Sequence, residues 1–178
     1  MRDIDYDRLV SVFMFTSGRE MDRNSLVCHL YFAQRLGFNL DFNFRVNQRG
    51  VSSSKAESYI KELLVSGSLM YDVNKSAYSY ALQGHKNPVR VCGEDFYLLE
   101  CLLDLMHDLE SWELSFLVTL SILQDDCLER QSSSGMSFGE VHYEVVCAMK
   151  RLCPMYTETL FEAASGRLLR MYDLGGVR

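Results

Sequence analysis

The first part of the chain repeats its apolar positions with the period of an α-helix. Over 3–17 apolar side chains recur at three- and four-residue spacings, and Gly18 follows them. A second run of the same period, 26–34, has Asp22 before it as a cap residue and Gly37 after it as a stop. The pattern therefore predicts two consecutive helices, the second of which ends at Gly37.

The repeat then changes to two residues over 38–46. Apolar and polar side chains alternate there, which would place the apolar ones on a single face of an extended segment. We expect a strand or extended arm with one apolar side, closed by a turn over 47–50. The apolar positions of this arm are Phe38, Leu40, Phe42, Phe44 and Val46.

A helix and a hairpin follow the arm. Serines 52–54 are suitable cap residues, and the helix that they open ends before Gly67. Two β-prone runs, 69–73 and 77–82, are separated by three polar residues and fit a hairpin. Helices followed by a hairpin in this order are typical of a winged helix-turn-helix, so we assign residues 1–87 to a winged-helix-like half.

The remainder of the chain is helical. A connector over 84–93 contains Pro88, and four helical repeats follow it, with a small polar loop over 131–135 and Pro154 opening the last helix. Residues 88–178 are therefore assigned to a four-helix appendage. The predicted fold class is mainly α with a small β component: a winged-helix-like N-terminal half packed on a C-terminal helical bundle, as one compact unit.

Composition and charge narrow the classes of function. With 178 residues, of which 48% are hydrophobic, the chain is long enough to bury a core. The net charge of −6 is divided unevenly, since residues 1–87 carry +2 and residues 88–178 carry −8. An acidic second half disfavours indiscriminate binding to nucleic acid and favours solubility or a basic partner.

Cysteine usage and hydropathy indicate the compartment. The six cysteines stand singly within apolar patterns, without a CxxC pair, so we interpret them as reduced core residues. No run approaches the roughly 18 consecutive apolar residues that a membrane span needs, and the first residues lack the order of a signal peptide. We expect a cytoplasmic protein that does not contact a membrane.

No spacing of ionisable residues forces a catalytic or metal site. His142 and Cys147 are five residues apart and share no helix face, and His107 ends a helix, where the helix dipole favours it. Neither GxxxxGK[ST] nor GxGxxG occurs. We therefore expect no catalytic residue, no metal and no cofactor, and we keep a hydrolase that uses His107 or His142 as a third hypothesis.

Contact with a macromolecule fits the predicted scaffold better. DNA binding would use the helix over 53–66 and the hairpin, but Glu57 and Glu62 leave that helix nearly neutral. Ten Phe, ten Tyr and nine Met favour protein contact, with the arm and the hairpin as an apolar patch. The protein-binding candidates are Phe38, Phe42, Phe44, Tyr71, Tyr78 and Tyr80. The alternative, nucleic-acid-binding candidates are Arg45, Arg49, Lys55, Lys61, Lys75 and Lys86.

A resemblance supports this interpretation. The run Leu30-Tyr31-Phe32-Ala33-Gln34, the Leu36-Gly37 stop, the alternating segment 42–46 and the helix over 53–69 follow one another. In this order they resemble the N-terminal part of two related prokaryotic groups, the Panacea (SocA-like) antitoxin domain and the YwgA-like proteins. Segments 112–123 and 141–156 are similar in pattern to later helices of the YwgA-like group.

One element of that family pattern is mostly missing. The usual turn has the order aromatic-glycine-proline-aromatic-serine, and segment 49–53 keeps only its glycine and its final serine. The resemblance implies a winged-helix-like fold and a role in toxin neutralisation, phage defence or a similar prokaryotic conflict system. Our leading hypothesis is a non-enzymatic, antitoxin-like adaptor that binds another protein, such as a toxin or a defence-complex subunit. The alternative is a winged-helix DNA-binding regulator or DNA-contacting subunit.

Overall fold

The computed structural model describes residues 20–47, 50–80, 93–131 and 135–175 and is mainly helical with a small β component. These ranges contain six helices and two antiparallel two-stranded sheets. None of these helices combines the length and the apolarity that a bilayer crossing requires. In chain order the elements are α1 (Arg23–Arg35), β1 (Arg45–Asn47), β2 (Gly50–Ser52), α2 (Ser54–Val65), β3 (Leu69–Asp72), β4 (Ala77–Tyr80), α3 (Gly93–Met106), α4 (Ser111–Gln131), α5 (Phe138–Leu152) and α6 (Glu158–Gly175).

Helix α1 confirms the second predicted helix and lies at the centre of the fold. The carboxylate of Asp22 accepts a hydrogen bond from the backbone N–H of Ser25 at 2.9 Å, which caps the helix. Gly37, with φ of 92°, follows its last turn. The consecutive residues 25–33 are all buried, so α1 is enclosed on every side rather than packed through a single apolar face.

One hydrophobic core joins the two predicted halves. Helix α1 packs against α4, and side chains from both halves belong to the same buried cluster. Phe32 and Phe38 contribute from the first half, and Leu102 and Phe161 from the second. Residues on either side of position 87 therefore stabilise each other through shared burial.

Hydrogen bonds join the amino ends of α1 and α4. The amide nitrogen of Asn24 donates to the carbonyl and hydroxyl oxygens of Ser111, both at 2.9 Å, and to the hydroxyl of Ser115 at 2.7 Å. The Ser111 hydroxyl donates in turn to Asp22 at 3.0 Å. Gly50 lies against this junction with φ of 101°, and a Cβ there would be 3.3 Å from Oδ1 of Asn24. A glycine is therefore required at this position.

A second polar network joins the carboxyl end of α1 to α4 and α6. The Tyr31 hydroxyl donates to the Ser121 hydroxyl at 2.8 Å, and the Tyr172 hydroxyl donates to the Asp125 carboxylate at 3.0 Å. Arg35 pairs with the same carboxylate at 3.0 Å, and its guanidinium lies 4.7 Å from the Tyr172 ring centroid. Burial raises the pKa of Asp125 and raises that of Tyr172 to about 12. Because these hydrogen bonds and this ion pair connect side chains of three helices, the network favours one register of the helices.

The arm is not the strand that its alternation predicts. Within the arm only Arg45–Asn47 forms a strand, and it pairs with Gly50–Ser52. The backbone of Phe42 is bonded instead by the side chain of Gln34, whose amide nitrogen donates to the Phe42 carbonyl at 3.0 Å. The Phe42 N–H donates to Oε1 of Gln34 at 2.8 Å. A side-chain amide thus replaces the partner strand that the backbone would otherwise need.

The arm also does not present an apolar face to a partner. Phe38 is only 2% exposed and Phe42 is buried as well, whereas Val46 is 40% exposed. Phe44 is partly buried and packs edge-on against Tyr31, with ring centroids 5.3 Å apart. The prediction that Phe38 and Phe42 contact a partner is therefore wrong, because the alternation marks the side of the arm that faces the core. For the partly buried Phe44 it stays a prediction.

The helix and hairpin after the arm are confirmed as α2, β3 and β4. Ser53 is the cap, since its hydroxyl accepts from the Ala56 N–H at 3.4 Å. Gly67, with φ of 79°, separates α2 from the hairpin. The strands pair antiparallel with Tyr71 opposite Tyr78.

The second half contains four helices, α3 to α6, as predicted. Helix α5 begins with a capping box in which Ser137 and Glu140 bond each other's backbone N–H groups. The predicted role of Pro154 is wrong, because Pro154 lies in a turn and α6 begins only at Glu158. The Thr157 hydroxyl accepts from the Leu160 N–H at 3.3 Å and caps that helix instead.

Some predicted features lie outside the described residues. They are the helix over 3–17, most of the connector over 84–93, the centre of the loop over 131–135, and the candidates Arg49 and Lys86. The side chain of Tyr80 also lies outside them. The cysteines within the described ranges are free thiols.

Replacing Phe38 by Ala tests the buried arm. The variant Phe38→Ala is expected to lower the free energy of unfolding by about 3–5 kcal/mol, because a ring is removed from the core. The matched change Val46→Ala should alter it by about 0.5 kcal/mol or less, since that side chain is at the surface. Urea unfolding followed by circular dichroism measures both, and a small effect of Phe38→Ala would contradict the buried position.

Candidate functional site

Exposed apolar side chains are concentrated on the hairpin. Met70, Tyr71 and Val73 are exposed large hydrophobic residues within four positions, and Val65 is exposed at the end of the preceding helix. Successive residues of a strand point to opposite faces, so both faces of this two-stranded ribbon carry an exposed side chain. Of these exposed residues the sequence predicted only Tyr71. The hairpin packs on the core through Leu69 and Tyr78, so alternation alone does not show which of its side chains stay exposed.

The two opposed tyrosines of the hairpin have different roles. Their rings lie 5.1 Å apart, yet Tyr71 is 47% exposed and Tyr78 only 8%. Met21 lies on the other side of Tyr78 and exchanges backbone hydrogen bonds of 3.0 and 2.7 Å with it. Tyr78 is therefore covered from both sides, and its predicted place on the contact surface is wrong.

Of the described basic candidates for DNA contact, two form ion pairs and two are exposed to solvent. Lys55 pairs with Asp41, and Lys75 pairs with Glu20 at 2.7 Å. A carboxylate beside each of these lysines reduces the positive charge that a phosphate would meet. Arg45 and Lys61 are exposed.

A cleft of about 630 Å³ opens between the start of α1, helix α3 and the start of α4. It brings together ionisable side chains that lie far apart in the sequence, and of these only His107 was a candidate. Its ionisable residues are Glu20, Asp22, His29, Tyr97, Glu100, Cys101, Asp104 and His107.

The hydrogen bonds of this cleft are mainly those of helix ends. Burial alone would raise the pKa of Asp22, but hydrogen bonds from Ser25 and Ser111 outweigh it and hold that pKa below its usual value. Nδ1–H of His29 donates to the Ser25 carbonyl at 2.7 Å, and burial lowers the pKa of His29. Nδ1–H of His107 donates to the backbone carbonyl of Asp104 at 3.0 Å. The cleft thus holds the ionised carboxylate of Asp22, which caps α1, and the neutral imidazole of His29, whose proton is on Nδ1.

His142, the other hydrolase candidate, lies elsewhere. It faces α4 from α5, and its Nδ1–H donates to Oε1 of the fully buried Gln124 at 2.8 Å. Because an amide does not exchange protons as a carboxylate does, this pair is not an acid–base couple. Within the described part of the chain, no group of three or more His, Cys, Asp or Glu side chains is placed to hold a metal ion.

Comparisons with protein-family models, with curated proteins and with solved structures find no match to this chain. The resemblance of segment 26–69 to the Panacea and YwgA-like groups therefore stays a prediction.

Acidification is expected to reduce stability through His29. The unfolded imidazole binds a proton near its usual pKa of 6.5, whereas the buried one does not, so the free energy of unfolding falls as pH drops below that value. The loss amounts to at most about 1.4 kcal/mol per pH unit. Burial also lowers the pKa of the half-buried His142, so this residue adds to the loss of stability at low pH.

The variant His29→Gln should therefore lose less stability than the natural chain between about pH 7.5 and 5.5, as measured by urea unfolding at both values. An unchanged pH dependence in His29→Gln would contradict the assigned burial.

Proposed function

We propose that the chain is a non-enzymatic, cytoplasmic, protein-binding subunit: an antitoxin-like adaptor of a prokaryotic or phage conflict system that contacts its partner through the β3–β4 hairpin. The observation that carries the proposal is the exposure of Met70, Tyr71 and Val73 on and beside β3. Apolar side chains that remain in solvent and lie close together are typical of protein contact sites. The proposal keeps the predicted kind of partner and narrows the predicted surface, which comprised the arm and the hairpin, to the hairpin.

The element order supports a winged-helix-like arrangement of the first half. Helices α1 and α2 precede the hairpin, and α2 packs against β3. In such an arrangement the hairpin is the wing.

Strand β3 also has a backbone edge for a partner. β4 pairs with β3 on one side and with Met21 on the other, whereas no described strand pairs with the outer side of β3. An extended segment of another protein can add to such an edge through main-chain hydrogen bonds. The exposed Met70 and Tyr71 would then give specificity to the contact.

The contacts within the cleft beside α1 support the non-enzymatic part of this proposal. Asp22 is engaged as the cap of α1, Glu20 pairs with Lys75, and His29 bonds the backbone of its own helix. These contacts maintain the fold, so the side chains are not held ready for proton transfer.

DNA contact is the second candidate function. The exposed Arg45 and Lys61 favour it, and the ion pairs of Lys55 and Lys75 oppose it. Binding of this kind would weaken steeply with salt, which separates it experimentally from apolar protein contact.

The test compares capture of proteins from a host extract by the full chain and by a hairpin variant. Met70→Asp combined with Val73→Asp places charges on the exposed apolar surface and is expected to reduce capture of a specific, stoichiometric partner by about tenfold or more. Tyr143→Asp, an equally apolar-to-charged change at an exposed position of α5, is the matched control and should retain capture. Urea unfolding confirms that both variants are folded.

Undiminished capture by the hairpin variant would overturn the proposal. So would salt-sensitive retention on duplex DNA that is lost when Arg45→Glu is combined with Lys61→Glu, because the chain would then belong to the DNA-contacting class.

A further inference from the structure

A second concave surface lies at the amino end of α4. It has a volume of about 590 Å³ and is formed by α4, the carboxyl end of α5 and the turn that follows α5. We call it the aromatic cleft. Its principal lining residues are Glu110, Trp112, Phe116, Met149, Cys153 and Tyr156.

The aromatic side chains of the cleft hold one another in place. The Trp112 indole stacks on the Tyr156 ring, with centroids 5.9 Å apart and planes inclined by 19°. Phe116 is buried below and meets Tyr156 edge-on at 5.0 Å. Trp112 nevertheless remains 46% exposed. The cleft therefore presents a large, oriented aromatic surface to solvent.

A carboxylate is fixed beside the exposed indole. Nε1–H of Trp112 donates to Oε2 of Glu110 at 2.7 Å, and the N–H of Glu110 donates to the carboxylate of Glu113 at 2.8 Å. The first bond holds the Glu110 side chain against the indole, and the second fixes the backbone from which it extends. A guanidinium group stacks flat on an aromatic ring and donates hydrogen bonds to a carboxylate, so this pair of groups matches it.

The charge of the surroundings favours a cation as well. The described lining of the cleft includes the carboxylate of Glu110 and no basic side chain. Of the two basic residues between lining residues on α5, Lys150 is paired with Glu158, and Arg151 is exposed. Leu152 and Met155, next in sequence to the lining residues Cys153 and Tyr156, are exposed apolar side chains. A ligand with apolar groups on either side of its cation would cover them.

We propose that the aromatic cleft binds an arginine side chain of a partner protein, within a segment that has apolar residues next to the arginine. The inference deepens the proposed function, since it assumes that the chain binds a protein. It does not depend on the hairpin being the other contact.

Trp112 provides a direct readout, because it is the only tryptophan of the chain. The probe is the acetylated and amidated tripeptide Leu-Arg-Leu, and its neutral counterpart carries citrulline in place of arginine. Titration of the full chain should change the Trp112 fluorescence saturably, with a dissociation constant at least about fivefold lower for the arginine peptide. Equal affinity for the two peptides, or no saturable change, would overturn the inference.

A substitution distinguishes binding in the aromatic cleft from general electrostatic attraction between the peptide and an acidic protein. Glu110→Gln keeps an oxygen for the indole N–H but removes the charge, and should weaken binding of the arginine peptide by about tenfold. Asp126→Asn removes an exposed charge elsewhere on α4 and should leave binding unchanged. Equal effects of the two changes would contradict a specific guanidinium site.

The outcome for the cleft is distinguishable from that for the hairpin. The Met70→Asp, Val73→Asp variant should bind the arginine peptide as the natural chain does, because neither residue lines the cleft. If the peptide fails to bind while hairpin-dependent capture persists, the cleft inference alone is lost. If the peptide binds and capture is independent of the hairpin, the hairpin proposal alone is lost.

Discussion

The contact between α1 and α4 is the interaction on which the rest of the structure depends. Asn24 meets Ser111 and Ser115 at one end, and Tyr31 meets Ser121 at the other, so the two helices run side by side in the same direction. Burial of the residues between these ends supplies the driving force, but burial alone is not directional. The hydrogen bonds at both ends add the register, because a shifted helix would leave buried polar groups without partners.

Both proposed surfaces are positioned from the amino end of this helix pair. Met21 bonds the backbone of Tyr78 and so attaches the hairpin to the segment just before α1. Three residues later, Asn24 holds the start of α4, where Trp112 and the aromatic cleft begin. The apolar hairpin and the anionic aromatic cleft are thus anchored on the same short segment, and a partner that carries an apolar extended segment and an arginine would match both.

Local signals were enough to predict most of the elements. The cap Asp22, the stop at Gly37 and the hairpin at 69–80 act through neighbouring residues, and each is where the sequence predicts it. The arm was predicted as a strand or an extended segment, and it forms a strand only at its end, because Gln34 of α1 bonds the backbone of Phe42 and Asp41 has a positive φ of 49°. Alternation identified Phe38, Leu40 and Phe42 as buried, but it could not indicate a backbone that is held by a side chain of another element.

The functional surfaces were harder to predict because they depend on tertiary contacts. Tyr71 and Tyr78 are equivalent in the hairpin pattern, and only the tertiary structure shows that Tyr78 belongs to the core while Tyr71 is exposed. Trp112 and Tyr156 belong to different segments, and nothing in the spacing of either indicates that their rings stack. The ionisable residues of the cleft beside α1 meet for the same reason, through the packing of α3 against α1.

Native-state hydrogen exchange tests most directly whether α1 and α4 form a single cooperative unit. The shared core predicts that buried amides over 26–33 and over 114–121 exchange only through global unfolding, with the same free energy and the same dependence on denaturant. Exchange of the α1 amides at a clearly lower free energy, while α4 to α6 stay protected, would contradict the account, because the first half would then unfold independently of the second.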